Sequence, residues 1–336
     1  MGHTTPPDQP LPRRSFFSRL RIYLRPRRAG LLWLRPLMQR IARASPGFRR
    51  VGLPVLFWVD SLVRESGELV ECTLSDSTAR AIVGTTDYTQ FALFYFGTAQ
   101  SEIREVLGRV PIGDGWVVDV GANVGEFTLR CAERIALAGS GGSRVIAIEP
   151  NPSVFERLRA NVSLNKMDSI VDLHSLAASD RIGMANLTLD DPEMNTARGR
   201  LTIDSPHESS SVEISVLTTT LDALLAARRQ PIRLIKIDVE GAELLALRGA
   251  VTVLREDHPT LILEAVDAYM QDFGYTYAEL SAFLRANDYV IHVIGADGGL
   301  DNEPMSGSQD AHIQRDLICF ARTQAGGPKI DAPQSE

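Results

Sequence analysis

From about residue 110 onward, apolar runs of strand length alternate with amphipathic segments of helix length. That alternation constrains the fold more than any other feature, because a strand followed by a crossover helix and a further strand builds a parallel sheet with helices on both faces. The expected strands are 116–120, 144–149, 171–176, 232–239, 261–265, 289–294 and 316–321, and the expected helices are 126–138, 153–165, 221–227, 242–254 and 277–286. Two alternating segments, 185–189 and 212–216, fall between the third and fourth strands and read as an inserted β-hairpin, joined by a long polar connection over 190–211. The expectation is a doubly wound α/β fold with a mostly parallel seven-stranded sheet.

Charge divides the chain. Residues 1–50 hold twelve arginines against one acid, Asp8, so the remaining residues carry the excess of negative charge behind the net −7. An acidic body argues against nucleic acid as the main partner, since phosphate binding needs a basic face. The arginines alternate with Phe16, Phe17, Leu20, Tyr23, Leu24 and Leu31–Leu34. That composition suits either peripheral contact with an anionic membrane or a basic, partly disordered extension packed on the acidic body. No apolar run reaches the roughly 18 residues of a membrane span. Cys72, Cys131 and Cys319 are far apart, which offers neither a disulfide framework nor the usual zinc spacing, and a cytoplasmic setting fits. The expected organisation is a basic extension over 1–50, a lead-in over 51–110 packing on or over the active site, a catalytic domain over 111–325 and a tail over 326–336.

The chemistry begins at the end of the first expected strand, in Asp119-Val120-Gly121-Ala122-Asn123-Val124-Gly125. Glycines at 121 and 125 permit a tight turn where doubly wound sheets bind ligands, and Asn123 stands where a dinucleotide fingerprint would need a glycine against the pyrophosphate. A ligand without phosphates is therefore favoured over a nicotinamide dinucleotide. The second strand ends in Glu149-Pro150-Asn151, and an acid at that tip is placed to accept both ribose hydroxyls. The competing reading makes Glu149 a cap for the following helix. An adenosine-containing ligand lacking phosphates points to S-adenosylmethionine, and Ala178 and Asp180, beyond the third strand, are counted with the cofactor residues.

The fourth strand, Leu234-Ile235-Lys236-Ile237-Asp238-Val239-Glu240, carries charges where a buried parallel strand should be apolar. If it stays regular to its end, Lys236, Asp238 and Glu240 share a face. They are read as a catalytic group, although an internal Lys–carboxylate pair closing the strand would explain the same residues. Glu264 ends the fifth strand on the same rim. The acids could instead hold a divalent cation, but no histidine joins them in sequence. His174, His207, His258, His292 and His312 read as plain surface or core residues rather than catalytic ones, with His207, in the polar connection, the least poor candidate.

Four blocks in order carry a specific resemblance: Val118–Thr128, Glu149-Pro150-Asn151, Thr219-Thr220-Leu221-Asp222 and Ile235–Glu243. Over about residues 90–325 the chain resembles the FkbM-type family of S-adenosylmethionine-dependent methyltransferases. The resemblance implies a Rossmann-like sheet whose last strand is antiparallel, and methyl transfer to a hydroxyl of a sugar, glycan or natural-product scaffold. Glu126 departs from the aromatic residue that the family often has there, which bears on local packing. Holding acceptor oxygen, methyl and sulfur in line accounts for most of such a reaction, and a carboxylate at the acceptor helps as general base. Asp238 is the first candidate, with Glu240 and Glu264 as auxiliary acids and Lys236 as electrostatic partner. A protein methyltransferase or a non-catalytic S-adenosylmethionine-binding module remains the alternative.

Overall fold

The computed structural model describes residues 34–44, 56, 60, 68–139, 141–189, 199–202, 212–302 and 314–322. Most of the basic extension, most of the polar connection with His207, and also His312 and the tail lie outside these residues. The chain divides into two compact units, Met1–Glu68 and Leu69–Glu336. In the first, helix α1 (Leu34–Ala44) is tied down through Arg35, which donates to Asp60 and Glu68.

The second unit opens with an antiparallel hairpin, β1 (Leu69–Thr73) and β2 (Arg80–Gly84), followed by helices α2 (Tyr88–Phe96) and α3 (Ser101–Arg109). Then come β3 (Trp116–Val120), α4 (Glu126–Ala138), β4 (Val145–Ile148), α5 (Pro152–Leu164) and β5 (Val171–His174). An inserted group follows, β6 (Ala177–Ala178), β7 (Gly183–Leu189), β8 (Gly199–Thr202) and β9 (Val212–Thr219), and after it α6 (Leu221–Leu224). The chain continues through β10 (Ile232–Ile237), α7 (Glu243–Arg248), α8 (Val251–Asp257), β11 (Thr260–Val266) and α9 (Asp267–Gln271). It ends with α10 (Tyr277–Ala286), β12 (Tyr289–Ile294), β13 (Leu300–Asn302) and β14 (Gln314–Ala321).

The main sheet has the order β13-β12-β14-β11-β10-β3-β4-β5. Strands β5, β4, β3, β10 and β11 run parallel, and β14 lies antiparallel between β11 and β12. This is the expected Rossmann-like sheet of seven strands with its last strand reversed. Three-residue β13 adds an eighth at the edge. The inserted hairpin is present as β7 and β9, and it grows into a separate sheet of order β6-β9-β7-β8. Strand β8 comes from the polar connection, where no apolar alternation announces it.

One departure from the expected elements has a visible cause. The single helix expected over 242–254 is broken at Gly249, where a Cβ would stand 2.1 Å from the carbonyl oxygen of Ser179. Helix α8 then restarts with Thr252 and Val253 donating backbone N–H to the Asp222 carboxylate. The hairpin β1/β2 is held by helix α5 rather than by another strand. Asn161 accepts from Ile82 N and donates to Ile82 O and Val124 O, and Asn165 makes the matching pair with Arg80. One turn of α5 thereby satisfies the edge of β2, which would otherwise expose unpaired backbone groups.

Candidate active site

A cleft opens at the carboxyl ends of β3, β4, β10 and β11. Its floor is the turn after β3. Gly121 sits at φ 76°, and a Cβ there would stand 1.9 Å from Asp238 O, so the turn closes only without a side chain. The Gly121 and Ala122 N–H groups both donate to Ile148 O. Asn123 adopts a left-handed conformation, which asparagine tolerates better than most residues. Its backbone N–H donates to the Glu149 carboxylate (2.9 Å).

Glu149 is buried on the cleft wall and accepts a second N–H, from Asn151 (2.9 Å). Burial pushes its carboxyl up to about 7 despite these two bonds. The helix-cap role weighed for Glu149 belongs to Asn151, whose side chain accepts from Ser153 N ahead of Pro152. Gly121, Ala122, Asn123, Glu149, Pro150, Asn151 and Ala178 all line the cleft.

Three expected cofactor residues do not. Asp119 is fully buried away from the cleft wall, accepts from Thr128 Oγ1 (2.5 Å) and lies 3.8 Å from Lys236 Nζ. It supports the site from within the sheet, because its register partner on β10 is Lys236. Gly125 stands at φ 97° against the Leu158 side chain, where it starts α4. Asp180 is exposed, and Ser179 Oγ donates to it.

The charged group at the end of β10 does line the cleft, though not as one face of a straight strand. Strand β10 stops at Ile237, and the chain turns through Glu240 at φ 51° and Gly241 at φ 106°. Glu243 holds that turn by accepting from Gly241 N and Val239 N, and Tyr275 hydroxyl donates to Gly241 O. Lys236 Nζ donates to Asp238 Oδ2 (3.0 Å). Gln100 Nε2 donates to the same oxygen (3.0 Å) from the start of α3. Its corner of chain is anchored in turn, since Ala99 N donates to Glu126 and Arg130 donates to Gly97 O and Ser75 O. Glu126, out of place as an aromatic substitute, is thus the clamp for the segment carrying Gln100.

Burial opposes charge on Asp238, but Lys236 and the hydrogen bonds outweigh it and hold the carboxyl below the usual range. Glu264, beside it on the neighbouring strand β11, goes the other way. Burial and the neighbouring Asp238, Glu240 and Asp316 push it well above the usual range. Lys236, buried between Asp119 and Asp238, is held fully protonated. Among the described residues no group of three or more His, Cys, Asp or Glu side chains is arranged to hold a metal ion.

The sequence pattern names none of the residues of the other walls one by one. Thr89, Gln90, Leu93 and Gln100 come from the lead-in, and Leu187 and Leu201 from the inserted sheet. Only Leu187 had a sequence signal, as an inward position of the expected hairpin.

The model of the methyltransferase FkbM domain family matches residues 119–291. Methyltransferase 1 of Beauveria bassiana is 26% identical over 198 residues, covering 54% of this chain and 74% of that protein. Methyltransferase sdnD of Sordaria araneosa is 27% identical over 194 residues, covering 48% and 73%. A crystal structure of the methyltransferase FkbM from Methylobacillus flagellatus is 19% identical with a TM-score of 0.41, covering 69% of this chain and 54% of that one. The chain thus spans about half the length of that solved relative.

Proposed function

The chain belongs to the FkbM family of methyltransferases, and from that premise we propose that it methylates a hydroxyl oxygen of a sugar, glycan or natural-product scaffold. The cleft suits an adenosine without phosphates: the charged side chains on its wall are five acids, Glu126, Glu149, Asp238, Glu240 and Glu264, and one lysine, Lys236, which is spent on Asp238. When bound, S-adenosylmethionine supplies an electrophilic methyl group. Glu149, fixed by two backbone N–H groups, is the residue to accept the ribose hydroxyls, and the turn Gly121–Asn123 leaves room beside it.

The observation that carries the oxygen-acceptor reading is the pinned carboxylate of Asp238. Lys236 and Gln100 hold it on the cleft wall, ionised, by one oxygen. A carboxylate of lowered proton affinity is a poor base toward a resting alcohol. It suffices here, because a hydroxyl oxygen that is gaining a carbon becomes strongly acidic and gives up its proton late in the reaction. Lys236 keeps Asp238 charged and oriented, and Gln100 fixes the plane of the carboxylate from outside the matched domain.

The test starts with calorimetric titration of S-adenosylmethionine, followed by release of S-adenosylhomocysteine with a panel of glycosides and polyols. Asp238→Asn should lower turnover by roughly 10²–10⁴ with cofactor affinity little changed, and Gln100→Ala should lower it in the same direction by less. Near-normal turnover of the Asn variant would remove the base role. Cofactor binding with no methylated hydroxyl anywhere in the panel would favour a protein acceptor or a non-catalytic binding module.

A further inference from the structure

Helix α1 has two faces with different fates. At about 100° per residue, Arg35 and Ala42 fall on one side, and Leu37, Ile41 and Arg40 on the other. Arg35 is 7% exposed and grips two carboxylates: Nε and Nη2 reach Asp60 at 2.8 and 3.3 Å, and Nη1 and Nη2 reach Glu68 at 2.7 and 2.9 Å. That grip fixes the rotation of the helix about its axis. Opposite it, Leu37 and Ile41, one turn apart, remain 49% and 51% exposed, with Arg40 and Arg43 exposed on one flank.

A single exposed leucine needs no explanation. Two stacked apolar side chains bordered by arginines, on a helix without an acidic residue, within a fifty-residue stretch of twelve arginines and one acid, form a pattern. We propose that this face of α1 docks on the surface of an anionic lipid bilayer, with Leu37 and Ile41 entering the headgroup boundary and Arg40 pairing with a lipid phosphate. The contact is peripheral, since no described helix is long and apolar enough to cross a membrane. A nucleic acid would use the arginines and leave Leu37 and Ile41 in water. A second copy of the chain would bring two strongly positive stretches together. An anionic bilayer satisfies both halves of the face at once.

The full chain should co-sediment with phosphatidylcholine vesicles containing phosphatidylglycerol and not with phosphatidylcholine alone. Binding should fall at least tenfold at about 0.5 M salt, where screening is short-ranged. The double variant Leu37→Gln, Ile41→Gln leaves the charge unchanged and should weaken partitioning by about tenfold or more, while Arg40→Gln should weaken it about fivefold. Cofactor affinity and circular dichroism should stay as in the unaltered protein, because all three positions are exposed. Absence of binding to the anionic vesicles overturns the proposal. So does a double Gln variant that binds them as tightly as the parent, or tighter binding to an RNA oligonucleotide than to the vesicles.

Discussion

Replacing Gly121 with alanine tests whether the floor of the cleft is built as described. Two costs add. At φ 76° an alanine pays the left-handed penalty of about 1–2 kcal/mol. Its Cβ would also stand 1.9 Å from Asp238 O, against about 3.4 Å for ordinary contact, so the two backbones must separate by about 1.5 Å. That movement breaks the Asp238 N–H bond to Val120 O, now 3.0 Å, which contributes about 1 kcal/mol more. The expected loss is about 2–3 kcal/mol in urea unfolding. Because Asp238 moves with its carbonyl, S-adenosylmethionine affinity and turnover should fall together. Gly139→Ala is the control: its φ is 63°, but no atom of the described residues lies within 4 Å of the added carbon, so it carries the backbone penalty alone and should leave affinity unchanged. If Gly121→Ala lost no more stability than Gly139→Ala and bound the cofactor normally, the close approach of β3 and β10 argued here would be wrong.

Lys236→Met should cost about 3 kcal/mol, since it strands the buried Asp119 and the half-buried Asp238 without their shared cation; adding Asp238→Asn should restore part of the loss, and a single-variant loss below about 1 kcal/mol would refute the pairing. With Glu149 titrating near 7, S-adenosylmethionine affinity should weaken as pH falls below about 7, by at most tenfold per unit, while Glu149→Gln gives a flat profile over the same range; a pH-independent parent would remove the ionised carboxylate from ribose binding. Stability of the cofactor-free protein should show the opposite trend. Glu149, Glu243 and Asp316 all titrate near 7 when folded and near 4 when unfolded, so the folded state binds more protons between about pH 5 and 7 and stability falls as pH rises through that window, by up to about 1.4 kcal/mol per unit for each group. Urea midpoints that rise from pH 5 to 8 would contradict this.

Features whose information is local in the chain were legible in the sequence. The alternation of buried β-branched runs with amphipathic segments located β3 and β12 to the residue, and Gly121 and Gly125 marked the turn because its left-handed geometry excludes side chains at those positions. The acid at the tip of β4 could be placed because parallel strands end on a common rim. What tertiary packing alone decided was which oxygen meets which donor. Asp119 and Lys236 looked like separate charged residues until the register of β3 with β10 set them opposite each other within the sheet. Glu243 differs from Glu240 only by three positions, yet the turn at Gly241 sends one to hold backbone N–H groups and leaves the other on the cleft wall. Gln100 had no pattern to announce it. Its role exists because Glu126 and Arg130 hold the corner at residues 97–99, which brings a side chain to Asp238 from 138 positions away, and a contact of that range is a property of the packed chain rather than of any segment of it.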